Sequence, residues 1–120
     1  MQISLMDRKT KGKLGEDMAE QYLLSKGYEI VERNFRHGHG EIDIIAIEAN
    51  SVLVFVEVKL RSDDAFGNPE DFVSTGQQAS IQKAAEQYIF AINWTADIRF
   101  DVIAIDHKDD NLEHLRDAFY

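Results

Sequence analysis

Two charged residues interrupt the most apolar run of the chain, which has the sequence VLVFVEVKL over residues 52–60. They are Glu57 and Lys59. Burying an ionised side chain costs several kcal/mol unless a partner or a metal ion compensates for the lost hydration. Because the side chains of a strand alternate, Glu57 and Lys59 share one face and lie roughly 7 Å apart. This spacing allows both side chains to act on one bound group.

Asp43 interrupts the preceding apolar run in the same way, in the sequence EIDIIAI over residues 41–47. Two such runs in succession are typical of an antiparallel hairpin buried on both faces. Asp43 lies opposite Glu57 only if residues 49–51 form a three-residue loop or if a bulge restores the same register. A two-residue turn would put the two carboxylates on opposite faces. We therefore predict an odd loop or a bulge.

Two converging carboxylates repel each other unless a cation lies between them. Oxygen ligands with positions left for water suit Mg²⁺ or Mn²⁺. A nearby lysine can orient the attacking water or neutralise charge that develops on phosphorus, so the combination favours phosphodiester hydrolysis. Two readings without a metal stay open. Glu57 and Lys59 can form an ion pair at a wet strand end, or Lys59 can neutralise Glu57 while Asp43 carries a proton.

The elements that must position these residues follow from hydrophobic periodicity. An amphipathic helix is predicted over residues 14–26, with Glu16 near the edge of its apolar half, and a second helix over residues 77–92. Strands are predicted at 28–36, 41–47, 52–60 and 98–105. The order helix, three strands, helix, strand predicts one α/β domain over residues 1–120. Residues 1–11 are compatible with a flexible basic arm or a solubilising run, and residues 107–120 with an acidic, solvated tail.

Composition limits the partners of the chain. It carries 13 basic and 22 acidic residues, a net charge of −9, and the basic residues concentrate in residues 1–61, which hold nine of them. Such a balance counts against tight nucleic-acid binding by a monomer, so we expect a homodimer or a protein partner to assist. With no cysteine, disulfides and thiolate sites are excluded. No apolar stretch is long enough for a membrane span or a signal sequence, and we expect a soluble cytoplasmic protein without membrane contacts.

Asp43 followed fourteen residues later by Glu57-Val58-Lys59 resembles the PD-(D/E)xK nuclease superfamily. Further blocks in the same order make the chain similar to the YraN-type uncharacterised bacterial family. These blocks are Gly12-x-x-Gly15-Glu16, RNFR at 33–36, GEID at 40–43, VFVEVKLR at 54–61, FG at 66–67 and RFDV at 99–102.

The resemblance implies a restriction-endonuclease-like core, in which helices flank a mixed β-sheet. It implies that Asp43 and Glu57 are ligands of Mg²⁺ or Mn²⁺ and that Lys59 is the catalytic lysine. Glu16 would be the acid of the first helix near the metal, and the main-chain carbonyl of Val58 a further ligand. The implied activity is that of a metal-dependent endonuclease acting on DNA, with branched or repair and recombination intermediates among the candidate substrates.

Phosphate contacts are expected from Arg33, Arg36 and Arg61, which lie near the ends of the predicted strands. Gln77 stands where the similar family usually has a lysine, and residues 75–81, TGQQASI, carry no positive charge. Gln77 can still hydrogen-bond a phosphate or a water. This departure weakens the expected affinity for DNA. It keeps an alternative open, a non-catalytic nuclease-fold module that serves as a partner in a DNA-processing complex.

Other polar residues have simpler interpretations. Asp101, two residues after Arg99, is expected to be a structural partner of that arginine rather than a metal ligand. His37 and His39 flank a glycine in a turn, where imidazoles are usually solvated.

Overall fold

The chain has the predicted α/β fold, with a five-stranded mixed sheet between two helices. In this computed structural model, residues 7–61, 73–106 and 108–119 are described. The elements in chain order are α1 (Arg8–Ser25), β1 (Glu29–His37), β2 (Gly40–Glu48), β3 (Val52–Arg61), α2 (Thr75–Ile92), β4 (Asp97–Asp106) and β5 (Asn111–Leu115). Most of the loop predicted after β3, including the FG block at 66–67, lies outside the described residues.

The strands lie in the order β1-β2-β3-β4-β5, and only β3 and β4 run parallel within the described ranges. Parallel neighbours need a crossover, and α2 supplies it. The two helices cover opposite faces of the sheet. Ala19 and Leu23 of α1 pack in one buried cluster with Ile44 and Val56. Ile81, Ala84, Ala85 and Tyr88 of α2 pack in a second cluster, together with Ile42, Ile45, Phe55 and Phe100. In the described part of the chain, neither helix has the length and apolar character needed to cross a membrane.

Helix α1 begins at Arg8, six residues before the predicted start at Leu14. Asp7 caps it, since its carboxylate accepts a hydrogen bond from the backbone N–H of Thr10 at 2.8 Å. A glycine at position 15 weakens the helical pattern, but close packing accounts for it. A Cβ there would lie 3.2 Å from the side chain of Leu60. The first turns of α1 therefore run close to the end of β3, and residues 8–11 of the predicted arm are helical.

The acidic tail contains a strand that the sequence analysis did not predict. Residues 111–115 form β5, which pairs antiparallel with β4. Phe119 is buried in the cluster beneath α2. The amount of charge in the tail suggested a solvated surface, but it is the buried groups of β4 that hold this segment to the sheet.

Asp101 on β4 is the anchor for this segment, and its predicted pairing with Arg99 is confirmed. Arg99 donates two hydrogen bonds to the Asp101 carboxylate, at 2.8 and 2.9 Å. His114 Nε2 lies 2.7 Å from the same carboxylate, and the backbone N–H of Asp117 donates to it at 3.0 Å. Burial alone would raise the pKa of Asp101. The bonds from His114, Arg99 and Asp117 nevertheless bring it below its ordinary value.

Candidate active site

The register between β2 and β3 brings the two acids together. Glu48 pairs with Val52, and the same register continues to Ile44 opposite Val56. Residues 49–51 thus form the three-residue loop that the sequence predicted. The regular pairing ends there, and one further step in this register would set Asp43 opposite Glu57. Both side chains are nearly buried, with exposures of 8% and 7%.

An irregularity in β2 turns the carboxylate of Asp43 toward β3. Ile42 packs in the cluster under α2 and Ile44 in the cluster under α1, so the alternation of side chains is interrupted at Asp43. Asn34, in the opposite position on β1, has a positive φ of 54°. The backbone N–H of Val58 donates a hydrogen bond of 2.7 Å to Asp43 Oδ2. Asp43 is therefore held against the backbone of β3, next to Glu57.

The environment of Glu57 opposes its ionisation. Burial is the largest cause of a raised pKa, followed by a hydrogen bond with the Asp43 carboxyl and by the negative charge of that residue. The positive charge of Lys59 acts in the opposite direction but is the smaller effect. Without a cation, the Asp43 and Glu57 pair thus favours holding a proton.

Lys59 and Glu57 share the face of β3 that is turned toward α2, as their spacing predicted. Lys59 is half-buried, and its Nζ donates a hydrogen bond to Gln77 Oε1 at 3.3 Å. Gln77 Nε2 lies 3.5 Å from Glu57 Oε2. Gln77, which the sequence analysis assigned to phosphate contacts, thus links the acid and the amine of the site. Its distance of 18 residues from Lys59 left no sequence signal for this link.

Glu16 reaches the same site from α1. It lines a cavity of about 420 Å³ together with Asp43, Glu57 and Val58. Burial raises the pKa of Glu16, the negative charge of Asp43 adds to this, and the bond from Arg33 offsets part of it. Lys11, at the start of α1, also lines this cavity. The run of polar and basic residues around Lys11 predicted an N-terminal arm and gave no sign of this position.

A second cavity opens on the α2 side of Glu57. It measures about 340 Å³ and is lined by His39, Gly40 and Gln77 among others. The glycine at position 40 is required by close packing, because a Cβ there would overlap the carbonyl oxygen of Ser80 on α2. This contact fixes the approach of α2 to the hairpin. Glu57 is accessible from both cavities.

The donor set fits a hard cation that keeps several of its waters. Asp43, Glu57 and Glu16 offer carboxylate oxygens, and Val58 lines the same cavity. Among the described residues, no three acid or imidazole side chains lie close enough, as they stand, to hold one metal ion together. Mg²⁺ commonly takes only one or two carboxylates plus water and substrate phosphate, so the Asp43 and Glu57 pair is a sufficient protein contribution.

Two of the arginines expected to contact phosphate, Arg33 and Arg36, are engaged with acids. Arg33 binds three carboxylates of α1, those of Asp17 at 2.9 Å, Glu16 at 3.2 Å and Glu20 at 3.3 Å. Its buried Nε has no hydrogen-bond partner within the described ranges. A phosphate would have to compete with these acids. Arg36 and Arg61 were also expected to contact phosphate.

Arg36 lies close to the site and is well exposed. Its Nε pairs with Glu41 at 3.0 Å, and its side chain is 77% exposed. Arg61 ends β3, but its side chain is not among those that the structure describes. Phosphate contacts from Arg33, Arg36 and Arg61 therefore stay predictions.

Comparisons with a family profile and with individual proteins point to the same protein family. The profile of the Uncharacterised protein family UPF0102 matches residues 15–105. A UPF0102 protein of Cytophaga hutchinsonii is 46% identical over 100 residues, which cover 83% of this chain and 88% of that protein. A UPF0102 protein of Thermodesulfovibrio yellowstonii is 46% identical over 115 residues, covering 96% and 100%. One of Flavobacterium psychrophilum is 44% identical over 111 residues, covering 91% and 92%.

Proposed function

The chain belongs to the uncharacterised protein family UPF0102, and we propose that it is a metal-dependent endonuclease that hydrolyses phosphodiester bonds in DNA. This activity is inferred from the geometry of the chain itself. The observation that carries this proposal is the contact between the carboxyl groups of Asp43 and Glu57, both of which are nearly buried. A buried acid whose ionisation is opposed by a neighbouring acid forms a poor structural pair with it but a good cation site.

Asp43 and Glu57 would hold Mg²⁺ or Mn²⁺, with the main-chain carbonyl of Val58 and the carboxylate of Glu16 as further ligands. The bound ion would supply electrostatic stabilisation for the phosphate and a lower pKa for the attacking water. Asp43 is ready for this role because the N–H of Val58 already fixes one of its oxygens. The partial shielding of Glu57 from solvent strengthens its interaction with a cation.

Lys59 would orient the attacking water and neutralise charge that develops on the phosphate. It lies on the same face as Glu57, and its amine points to the α2 side, where Gln77 accepts its hydrogen bond. The cavities on either side of Glu57 leave room for a strand to approach from α1 or from α2. Branched repair and recombination intermediates are reasonable substrates, since the chain lacks the strong positive field that non-specific duplex binding requires.

The test is a cleavage assay with purified protein and either Mg²⁺ or Mn²⁺. Flap, junction, single-stranded and duplex DNA are offered in parallel. Lys59→Ala should reduce cleavage by at least about 100-fold, the usual scale for a group that stabilises developing charge, while circular dichroism and metal affinity stay unchanged. Lys83→Ala is the matched control, because this lysine lies on the exposed side of α2. If the wild-type protein cuts none of these substrates, the proposal fails.

A second candidate function is a non-catalytic module of a DNA-processing complex. It is favoured by the carboxylates that occupy Arg33 and Arg36 and by the net charge of −9. Titration calorimetry with Mg²⁺ and Mn²⁺ distinguishes the two functions. Binding that is lost in Asp43→Ala and Glu57→Ala supports the enzyme. Absence of binding in the wild-type protein supports the module.

A further inference from the structure

Gln77 occupies a position that its two-ended side chain is suited to fill. Its Oε1 accepts a hydrogen bond from Lys59 Nζ at 3.3 Å, and its Nε2 lies 3.5 Å from the Glu57 carboxylate. We propose that Gln77 is a positioning residue, which holds the amine of Lys59 and the carboxylate of Glu57 in fixed relation to each other. The catalytic consequence rests on the proposed nuclease function, whereas the positioning itself does not.

The chemistry of the side chain supports this role. An amide carries one acceptor and one donor side by side, so a single glutamine can serve an ammonium and a carboxylate at once. The reverse orientation of the amide would direct its N–H groups at an ammonium that has no acceptor. A lysine at position 77 would repel Lys59, and a glutamate would repel Glu57. Among these three polar residues of similar length, only glutamine satisfies both neighbours.

The backbone of Gln77 is itself held in place. Ser74 caps α2, and its hydroxyl accepts a hydrogen bond of 3.1 Å from the backbone N–H of Gln77. The close contact of Gly40 with Ser80 sets α2 against the hairpin that carries Asp43. The side chain of Gln77 therefore extends from a fixed base. Lys59, whose flexible stem would otherwise allow several amine positions, gains its orientation from that base.

This role differs from a direct phosphate contact in a measurable way. Loss of a phosphate ligand weakens ground-state binding and raises KM with kcat unchanged. Loss of a positioning residue lowers kcat, because a misplacement of about 1 Å in a catalytic group can cost about 100-fold. The variant Gln77→Met keeps the length of the side chain and removes both of its hydrogen bonds.

Gln78 supplies a matched control on the same turn of α2. Its Nε2 donates to the carbonyl oxygen of Val73 at 2.9 Å, away from the two acids. Gln78→Met thus removes a side-chain amide from the same helix end without touching Lys59. Thermal unfolding of both variants shows whether either change acts through stability alone.

The experiment combines two readouts on Gln77→Met and Gln78→Met. The first is steady-state cleavage, where kcat of Gln77→Met should fall by about 10- to 100-fold with KM within about twofold of the wild type. The second is NMR relaxation of the Lys59 side chain in the metal-free protein. Its order should fall in Gln77→Met and stay unchanged in Gln78→Met.

The outcomes separate this inference from the proposed function. Unchanged order of Lys59 in Gln77→Met overturns the positioning role, and so does a rise in KM at constant kcat. A wild-type protein that cuts no substrate would refute the nuclease proposal. In that case the relaxation measurement still decides whether Gln77 holds Lys59.

Discussion

Replacing Asp43 by asparagine should make the metal-free protein more stable. The asparagine oxygen can still accept the hydrogen bond from Val58 N–H, while the negative charge beside Glu57 is lost. Asp43 contributes to the raised pKa of Glu57, and each unit of pKa corresponds to about 1.4 kcal/mol. The unfolded chain ionises Glu57 freely above its ordinary pKa, whereas the folded chain keeps the proton as long as the pKa of Glu57, raised to about 10, exceeds the pH of the measurement. The free energy of unfolding should therefore rise by about 1.4 kcal/mol for each unit by which the substitution takes this pKa below that pH.

The sign of this effect depends on pH. A carboxyl whose folded pKa is raised lowers stability above its unfolded pKa, because the folded protein must retain a proton that the unfolded chain releases. The ordinary value for Glu57 is 4.5. Below that pH, Glu57 is protonated in both states and this contribution vanishes. The gain in Asp43→Asn should therefore be absent at pH 4 and increase as the pH rises above 7 toward the raised pKa of Glu57.

Mg²⁺ should reverse the ranking of the two proteins. A ligand at 100 times its Kd stabilises the folded state by about 2.7 kcal/mol, and Asp43→Asn should lose most of this stabilisation. Urea unfolding in chelator measures the stability of the metal-free proteins, and urea unfolding in saturating Mg²⁺ measures the stabilisation by the bound ion. Asp17→Asn is the control, since this exposed acid pairs with Lys13 and Arg33 outside the pair of buried acids. Equal stabilisation of wild type and Asp43→Asn by Mg²⁺ would refute the reasoning, as would a loss of stability in chelator.

Three further substitutions test the framework of the site. Asp101→Ala should lower the free energy of unfolding by about 3 to 5 kcal/mol, because it leaves Arg99 without its buried partner. In acid titrations, the stability that Asp101 contributes should be complete above pH 3.8 and decline as pH falls toward its lowered folded pKa. Gly40→Ala should cost about 1 to 3 kcal/mol through its overlap with Ser80, whereas Gly12→Ala, with open space around it, should gain up to about 1 kcal/mol. Urea unfolding measures each change, and a neutral Gly40→Ala would contradict the close packing of α2.

The central hairpin was predictable because its signals are local. The apolar runs of β2 and β3 and the charges that interrupt them are properties of adjacent residues. The requirement that Asp43 and Glu57 share a face then selected a three-residue loop over a two-residue turn. Period-two alternation also placed Glu57 and Lys59 on one face. The fold class followed from the order of these elements.

The parts that sequence did not predict depend on contacts between distant segments. The early start of α1 is stabilised by the Asp7 cap, and Gly15 is accounted for by its contact with Leu60 on another element. β5 is held by a buried carboxylate on β4, although its own residues are largely polar. The position of Gln77 depends on how α2 packs against the sheet. Periodicity describes one element at a time and carries no information on such packing.

Asp101 and Glu57 lie on neighbouring strands, and their contrast gives the strongest reason to look for a cation. Asp101 is completely buried, yet bonds from His114 and Arg99 bring its pKa below the ordinary value. Glu57 is almost as buried, yet its pKa is raised, and its nearest charged neighbour, Asp43, is another acid. The same sheet thus gives Asp101 an arginine and a histidine as partners, whereas Glu57 has a second acid beside it and the amide of Gln77 only at 3.5 Å. Two adjoining buried acids that line a cavity have the electrostatics of a site completed by a bound cation.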